Sequence, residues 1–213
     1  MIVVMDSING LGTTTMTNRL HADNPGSILT RHPGSTPFGQ ELRKLLKFGN
    51  FETTSQQEIL LFAADAMMFY QNIVEKNKDK LIICDRLNIV GALTYQLAGG
   101  SSMQEIKSMF KILKDLGWVM PVDKLLIFDA PYSVAQSRLE KPDLIDQDKV
   151  NGNKKDRFES RGNSYMLKVS ENYRNIISAG VDIFDGLVKE LFLIDASKNK
   201  EEVYEQITKV LSA

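Results

Sequence analysis

Long apolar runs are missing from this sequence of 213 residues. None approaches the ~20 consecutive apolar residues that a membrane-crossing helix needs. The opening residues, Met1-Ile2-Val3-Val4-Met5, lack the basic start and longer apolar stretch of a secretory signal. A cytoplasmic protein that touches no membrane is the expectation. One cysteine, Cys84, excludes an internal disulfide, and its place in an apolar run reads as a buried structural thiol. Charge of one sign is absent too: 26 Lys and Arg stand against 27 Asp and Glu, a net charge of −1. No bulk field draws the chain to nucleic acid, so any anionic ligand must be held by a local cluster of cations. No internal repeat is visible, and the length suits a single domain over residues 1–213.

What is present is an alternation of short apolar runs with longer helical patterns, the mark of a parallel sheet with crossover helices. The runs fall at residues 2–5, 27–30, 80–84, 124–128 and 191–194. They predict an α/β fold of three layers, with five parallel strands and helices on both faces. Helical patterns occupy 14–22, 52–74, 103–116, 133–139, 165–179 and 200–211. Thr36-Pro37 adds an N-cap followed by proline at the first helical position, opening a helix to about residue 48. Residues 141–163 are polar and aperiodic, which suits either a solvated loop or a lid segment.

After the first strand comes Asp6-Ser7-Ile8-Asn9-Gly10-Leu11-Gly12-Thr13-Thr14-Thr15, which opens the first helix. A phosphate-binding loop requires that context, because backbone N–H groups and a helix N-terminus together hold the anion. Against G-x-x-x-x-G-K-[ST], Ser7 replaces the first glycine and Thr13 replaces the lysine, while Gly12 and Thr14 match. A plain strand-to-helix turn is the competing reading. Loss of that lysine removes a charge-assisted contact worth about 3–4 kcal/mol in a closed transition state. The amide cradle survives it, so binding can outlast catalysis.

Further motifs follow in order. Thr30-Arg31-His32-Pro33-Gly34-Ser35-Thr36-Pro37-Phe38-Gly39-Gln40-Glu41-Leu42-Arg43 resembles the TREPGGTPxGExIR signature of the thymidylate kinases. Glu58-Ile59-Leu60-Leu61-Phe62-Ala63-Ala64-Asp65 resembles that family's E-x-L-L-F-A-A-D/S-R. Ile83-Cys84-Asp85-Arg86, then Thr94-Tyr95-Gln96, resembles V-x-C-D-R-Y…A-Y-Q. The stretch from Pro121 to Asp129, with Ala135 and Leu139, resembles P-D-L-T-I-x-L-D…A-x-x-R-L, and Asp156-Arg157-Phe158-Glu159 resembles D-R-x-E. The matches are collinear over most of the chain.

The resemblance implies a P-loop nucleoside monophosphate kinase that uses ATP and Mg²⁺ to phosphorylate a deoxypyrimidine monophosphate, and it implies a homodimer. Asn9, Gly10, Leu11, Gly12, Thr13, Thr14 and Thr15 would then form the ATP site, with Thr14 and Asp85 at the metal. Arg31, Asp85 and Arg157 would serve catalysis, with Lys154 and Lys155 assisting from the lid. Arg43 and Arg86 would hold the acceptor phosphate, Phe62 would stack on the base, Gln96 would hydrogen-bond its edge, and Tyr95 would belong to the same substrate site. Each has a plainer reading: Phe62 as core packing, Tyr95 and Gln96 as the end of a helix, Asp85-Arg86 as a structural pair, and Lys154-Lys155 as a solvated pair. The chain also departs from the pattern. His32 replaces a glutamate, Asn9 an aspartate, Leu87 a tyrosine, and Ala66 an arginine that in the family reaches the thymine carbonyl; one extra residue precedes Tyr95. Ala66 predicts a relaxed or shifted base preference, towards dUMP or a modified deoxyuridylate. Thr13 keeps a second function open: a pseudokinase that binds nucleotide without turning it over.

Overall fold

A computed structural model describes residues 1–117, 122–140 and 156–212. Five parallel strands form one sheet in the order β2-β3-β1-β4-β5: β1 (Ile2–Asp6), β2 (Ile28–Arg31), β3 (Ile82–Asp85), β4 (Val122–Asp129) and β5 (Val188–Asp195). Val3, Val4 and Met5 on β1 are fully buried, as are Ile83 and Cys84 on β3 and Leu125, Leu126 and Ile127 on β4. Strands covered on both faces are continuous apolar runs, which is why they stand out in the sequence. β5 begins earlier than its apolar run suggests. It is an edge strand with exposed Lys189 and Glu190, so polar residues interrupt the pattern there.

The helices are α1 (Thr13–Asp23), α2 (Pro37–Phe48), α3 (Ser55–Phe69), α4 (Asn88–Gly91), α5 (Met103–Asp115), α6 (Tyr132–Leu139), α7 (Asn163–Ala179) and α8 (Lys200–Ser212). Thr36 caps α2 by accepting from the Gly39 amide at 3.0 Å, a contact worth ~1 kcal/mol. The helix expected over 52–74 is α only to Phe69. It widens to a π turn at Tyr70–Val74 and tightens to a 3₁₀ turn at Glu75–Asn77. Sequence periodicity misses α4 and the π turn that continues it, Ala92–Gln96. Ile89, Val90, Ala92 and Leu93 are all buried, so this segment has no polar face to set a period.

β1 lies between β3 and β4 at the centre of the sheet, and the chain winds outward from it on both sides. Ligands of open parallel sheets bind outside the strands' carboxyl ends at such a switch point. Asp6, Arg31 and Asp85 are the last residues of three of these strands. Residues 141–155 of the expected lid, with Lys154 and Lys155, and Pro121 of the motif before β4, lie outside the described residues.

Candidate active site

The loop from β1 into α1 turns through left-handed glycines at Gly10 (φ 93°) and Gly12 (φ 89°). Gly10 also has no room for a side chain, since a Cβ there would sit 2.7 Å from the Ala135 carbonyl oxygen of α6. Ser7, at the first glycine position of the phosphate-loop pattern, has no left-handed φ. A serine is therefore tolerated; its hydroxyl donates to the Ile8 carbonyl at 2.8 Å. Gly12 is the N-cap of α1, and no side chain caps the helix. The first-turn amides of Thr13, Thr14 and Thr15 thus have no intrahelical acceptor and are suited to an anion.

Thr14 and Asp85 come together across two elements. The Thr14 hydroxyl donates to Asp85 Oδ2 at 2.6 Å, and Asp85 Oδ1 is buried with no hydrogen-bond partner. Among the described residues no group of three His, Cys, Asp or Glu could hold a metal unaided. A hydroxyl and a carboxylate oxygen still in need of a partner fit Mg²⁺, which takes one or two protein ligands and completes its shell with phosphate oxygens and water.

Beside the loop lies a cavity of about 420 Å³. Asn9, Gly10, Gly12, Thr13, Thr14, Thr15, Arg31, Arg43, Phe62, Asp85, Arg86, Tyr95 and Gln96 all line it. Arg31 from β2 and Arg43 from α2 meet over Gly34, where a Cβ would contact both side chains, Arg43 Cδ at 3.2 Å and Arg31 Nε at 3.5 Å. Arg86 is one of two non-glycine residues with positive φ (71°) among those described. Its N–H donates to the Met5 carbonyl at 2.9 Å, and its guanidinium donates to Asn9 Oδ1 at 2.6 Å and stands 3.8 Å from Asp6. Strain of this kind persists where surrounding contacts over-determine it.

Asn9, at the family's aspartate position, is held from both sides: its amide accepts from Arg86 and donates to Glu159 Oε1 at 2.7 Å. Asp6 sits below this network, accepting from the Leu87 amide at 3.0 Å and the Tyr173 hydroxyl at 2.8 Å. Burial still raises its carboxyl to about 6, offset by Arg86 and these donors. His32 and Asp65 make a second buried pair, with 3.1 Å between Nε2 and Oδ2. Neither group makes a well-aligned hydrogen bond, so the contact is close but poorly directed. Burial lowers the imidazole to about 3, helped by the charge of Arg43, and raises the carboxyl to about 6.

Two expected site residues do not present their side chains to the cavity. Leu11 is packed in the core. Arg157 lies outside the cavity: its guanidinium donates to the Leu46 carbonyl at 3.3 Å and the Thr53 hydroxyl at 2.7 Å, and stacks 4.5 Å over Phe51. Carbonyls of the last turn of α2 lack intrahelical donors and attract a cation there. Conversely, Lys47 lines the cavity and was not foreseen; its side chain is 12% exposed and its ammonium stands 3.7 Å from Asp156. Its spacing of four from Arg43 on one helix was the available signal.

The thymidylate kinase family model matches residues 5–207. The chain belongs to the thymidylate kinase family. It is 31% identical over 186 residues to the thymidylate kinase of Campylobacter curvus, covering 84% of this chain and 86% of that one. With that of Campylobacter concisus it shares 30% over 207 residues, 97% of this chain and 96% of the relative. The fold is that of solved thymidylate kinases from Ehrlichia chaffeensis (TM-score 0.67, 20% identity, 100% and 98% covered) and Candida albicans (TM-score 0.68, 19% identity, 99% and 90% covered). The extra residue before Tyr95 coincides with the π turn Ala92–Gln96, the usual way a helix takes in one residue more. Ala66, at the family's arginine position, is buried and does not line the cavity.

Proposed function

We propose that the chain transfers the γ-phosphoryl group of ATP to a deoxypyrimidine monophosphate, dTMP or dUMP, giving ADP and the nucleoside diphosphate. The observation that carries this is the convergence of Arg31, Arg43 and Arg86, from three separate stretches, on one cavity beside the glycine loop. Guanidinium forks bind phosphate in two places at once, so they hold the acceptor in line with the donor. An acceptor phosphate oxygen attacks the γ-phosphorus as the bond to the ADP oxygen breaks. Little covalent chemistry is asked of the protein, and rate comes from positioning and charge. The amides of Thr13–Thr15 receive the ATP phosphates, and Arg31 faces the transferring group. Thr14 and Asp85 would hold Mg²⁺, which would supply neutralisation of phosphate charge.

The missing lysine is offset by cations already on the cavity wall, Arg31 and Lys47 among them. With Ala66 withdrawn, no guanidinium reaches the base from α3, which broadens the acceptor range beyond dTMP. A homodimer fits α3, whose two charged residues, Glu58 and Asp65, are both buried while Leu60 and Met68 are exposed. Among the described residues no helix is long and apolar enough to cross a membrane, and we place the enzyme in the cytoplasm with its substrates. Thr13 favours a second reading, a pseudokinase that binds nucleotide without transfer. Measuring ADP release from ATP with dTMP, dUMP and dGMP, for the native chain and Thr13→Lys, separates the two. Native turnover with pyrimidines supports the kinase. Monophosphate binding without turnover, with activity gained in Thr13→Lys, supports the pseudokinase.

A further inference from the structure

Glu58 is wholly buried on α3, one turn before Phe62, and does not line the cavity. An isolated carboxylate in such a place is costly unless it is fully partnered. Three donors partner it: the Thr53 hydroxyl at 2.8 Å, the Arg161 guanidinium, and Gln96 Nε2 at 3.3 Å. The third contact has a consequence for the ligand. A carboxylate paired with arginine can only accept, so the Gln96 amide must turn its NH₂ towards it. The inverted amide would set oxygen against oxygen. Gln96 is 1% exposed and has no freedom to lean away. Its carbonyl oxygen is therefore left beside Gly91, another cavity-wall residue, where even a Cβ would stand 3.8 Å from it.

On the acceptor pocket proposed above, we infer that Glu58 is a positioning residue that fixes the polarity of base recognition. It holds Gln96 so that an acceptor, and not a donor, is offered to N3 of the pyrimidine. Uracil and thymine carry N–H at N3 and satisfy that oxygen. Cytosine carries a lone pair at N3 and sets two acceptors face to face, leaving both unmet. The pocket thus selects uracil-type over cytosine-type monophosphates through a residue that touches neither.

The test is calorimetric titration of the native chain, Glu58→Gln and Thr53→Val with dTMP and with dCMP. Glutamine at 58 can donate or accept, so it frees the Gln96 amide to invert; Thr53→Val removes another partner of Glu58 and leaves the amide held. The native chain is expected to prefer dTMP by at least ~100-fold, in keeping with the penalty for unmet buried hydrogen bonds. Glu58→Gln should shrink that ratio at least tenfold on the same basis, roughly, while Thr53→Val keeps it. A purely structural role would weaken both ligands alike, and an unchanged ratio in Glu58→Gln overturns the inference alone. A native chain that binds neither ligand overturns the pocket reading and this inference with it. Should Glu58→Gln fail to fold, Gln96→Met, which leaves the Glu58–Arg161 pair intact, must abolish the preference; a preserved ratio there also overturns the inference.

Discussion

Replacing Arg86 by alanine and, separately, by glycine isolates the two demands that the site makes on this position. The backbone demand is the left-handed φ of 71°, which costs an L-residue roughly 1–2 kcal/mol and glycine almost nothing. The side-chain demand is charge at Asn9 and Asp6 and, on the function proposed above, at the acceptor phosphate. Removing one partner of a buried ion pair ordinarily costs about 3–5 kcal/mol. Here the loss is capped, because the Asp6 carboxyl already titrates at about 6 with Arg86 in place and shifts higher without it. At pH 7 it escapes by taking a proton, so Arg86→Ala should cost only about 2 kcal/mol of stability. Arg86→Gly should recover about 1 kcal/mol of this, after allowing for the greater freedom of glycine in the unfolded chain. Both should weaken dTMP binding equally, by about 10- to 100-fold, the worth of charged hydrogen bonds of about 1.5–3 kcal/mol. Urea denaturation and calorimetric titration read the two effects separately. Glycine no more stable than alanine refutes the strain argument. Unequal dTMP affinities in the two variants refute the assignment of binding to the guanidinium.

Asp85→Asn keeps an acceptor for the Thr14 hydroxyl but removes the charge. Turnover should fall by two to three orders of magnitude, roughly, and the Mg²⁺ concentration for half-maximal rate should rise, with dTMP binding little changed. His32→Gln reports on pH. The imidazole pKa is lowered to about 3, so its contribution is fully present above the unfolded value near 6.5 and is lost as pH falls below it. By pH 5 the native chain should lose about 2 kcal/mol relative to the variant, against the opposite trend of Asp6 and Asp65, whose raised values favour the fold as pH falls from about 6. Parallel stability curves at pH 5.0 and 7.5 would contradict the buried neutral imidazole.

The sheet was legible because β1, β3 and β4 are buried on both faces and leave unbroken apolar runs, whereas α4 was hidden by the same property in a short helix. At the candidate site, collinear motifs picked out residues that line one cavity but not the directions of their side chains. Nothing in the sequence says that Arg157 turns to the end of α2, since that depends on which carbonyls α2 leaves unpaired beside it. Asn9 read as a lost charge and is instead an amide matched to Glu159 and Arg86, a pairing across 150 and 77 positions. Glu58 gave a local sign that went unused: a charged residue on an otherwise apolar helical stripe needs buried partners, and those lie near functional groups.

The most direct measurement follows the label of ATP carrying radioactive γ-phosphate, incubated with dTMP, Mg²⁺ and the native chain. With Thr13 in place, the label should move to the β-phosphate of dTDP, and about 10- to 100-fold more slowly in Arg86→Ala at limiting dTMP. Label that stays on ATP while both nucleotides bind, or that is released as inorganic phosphate, would contradict phosphoryl transfer in this cavity.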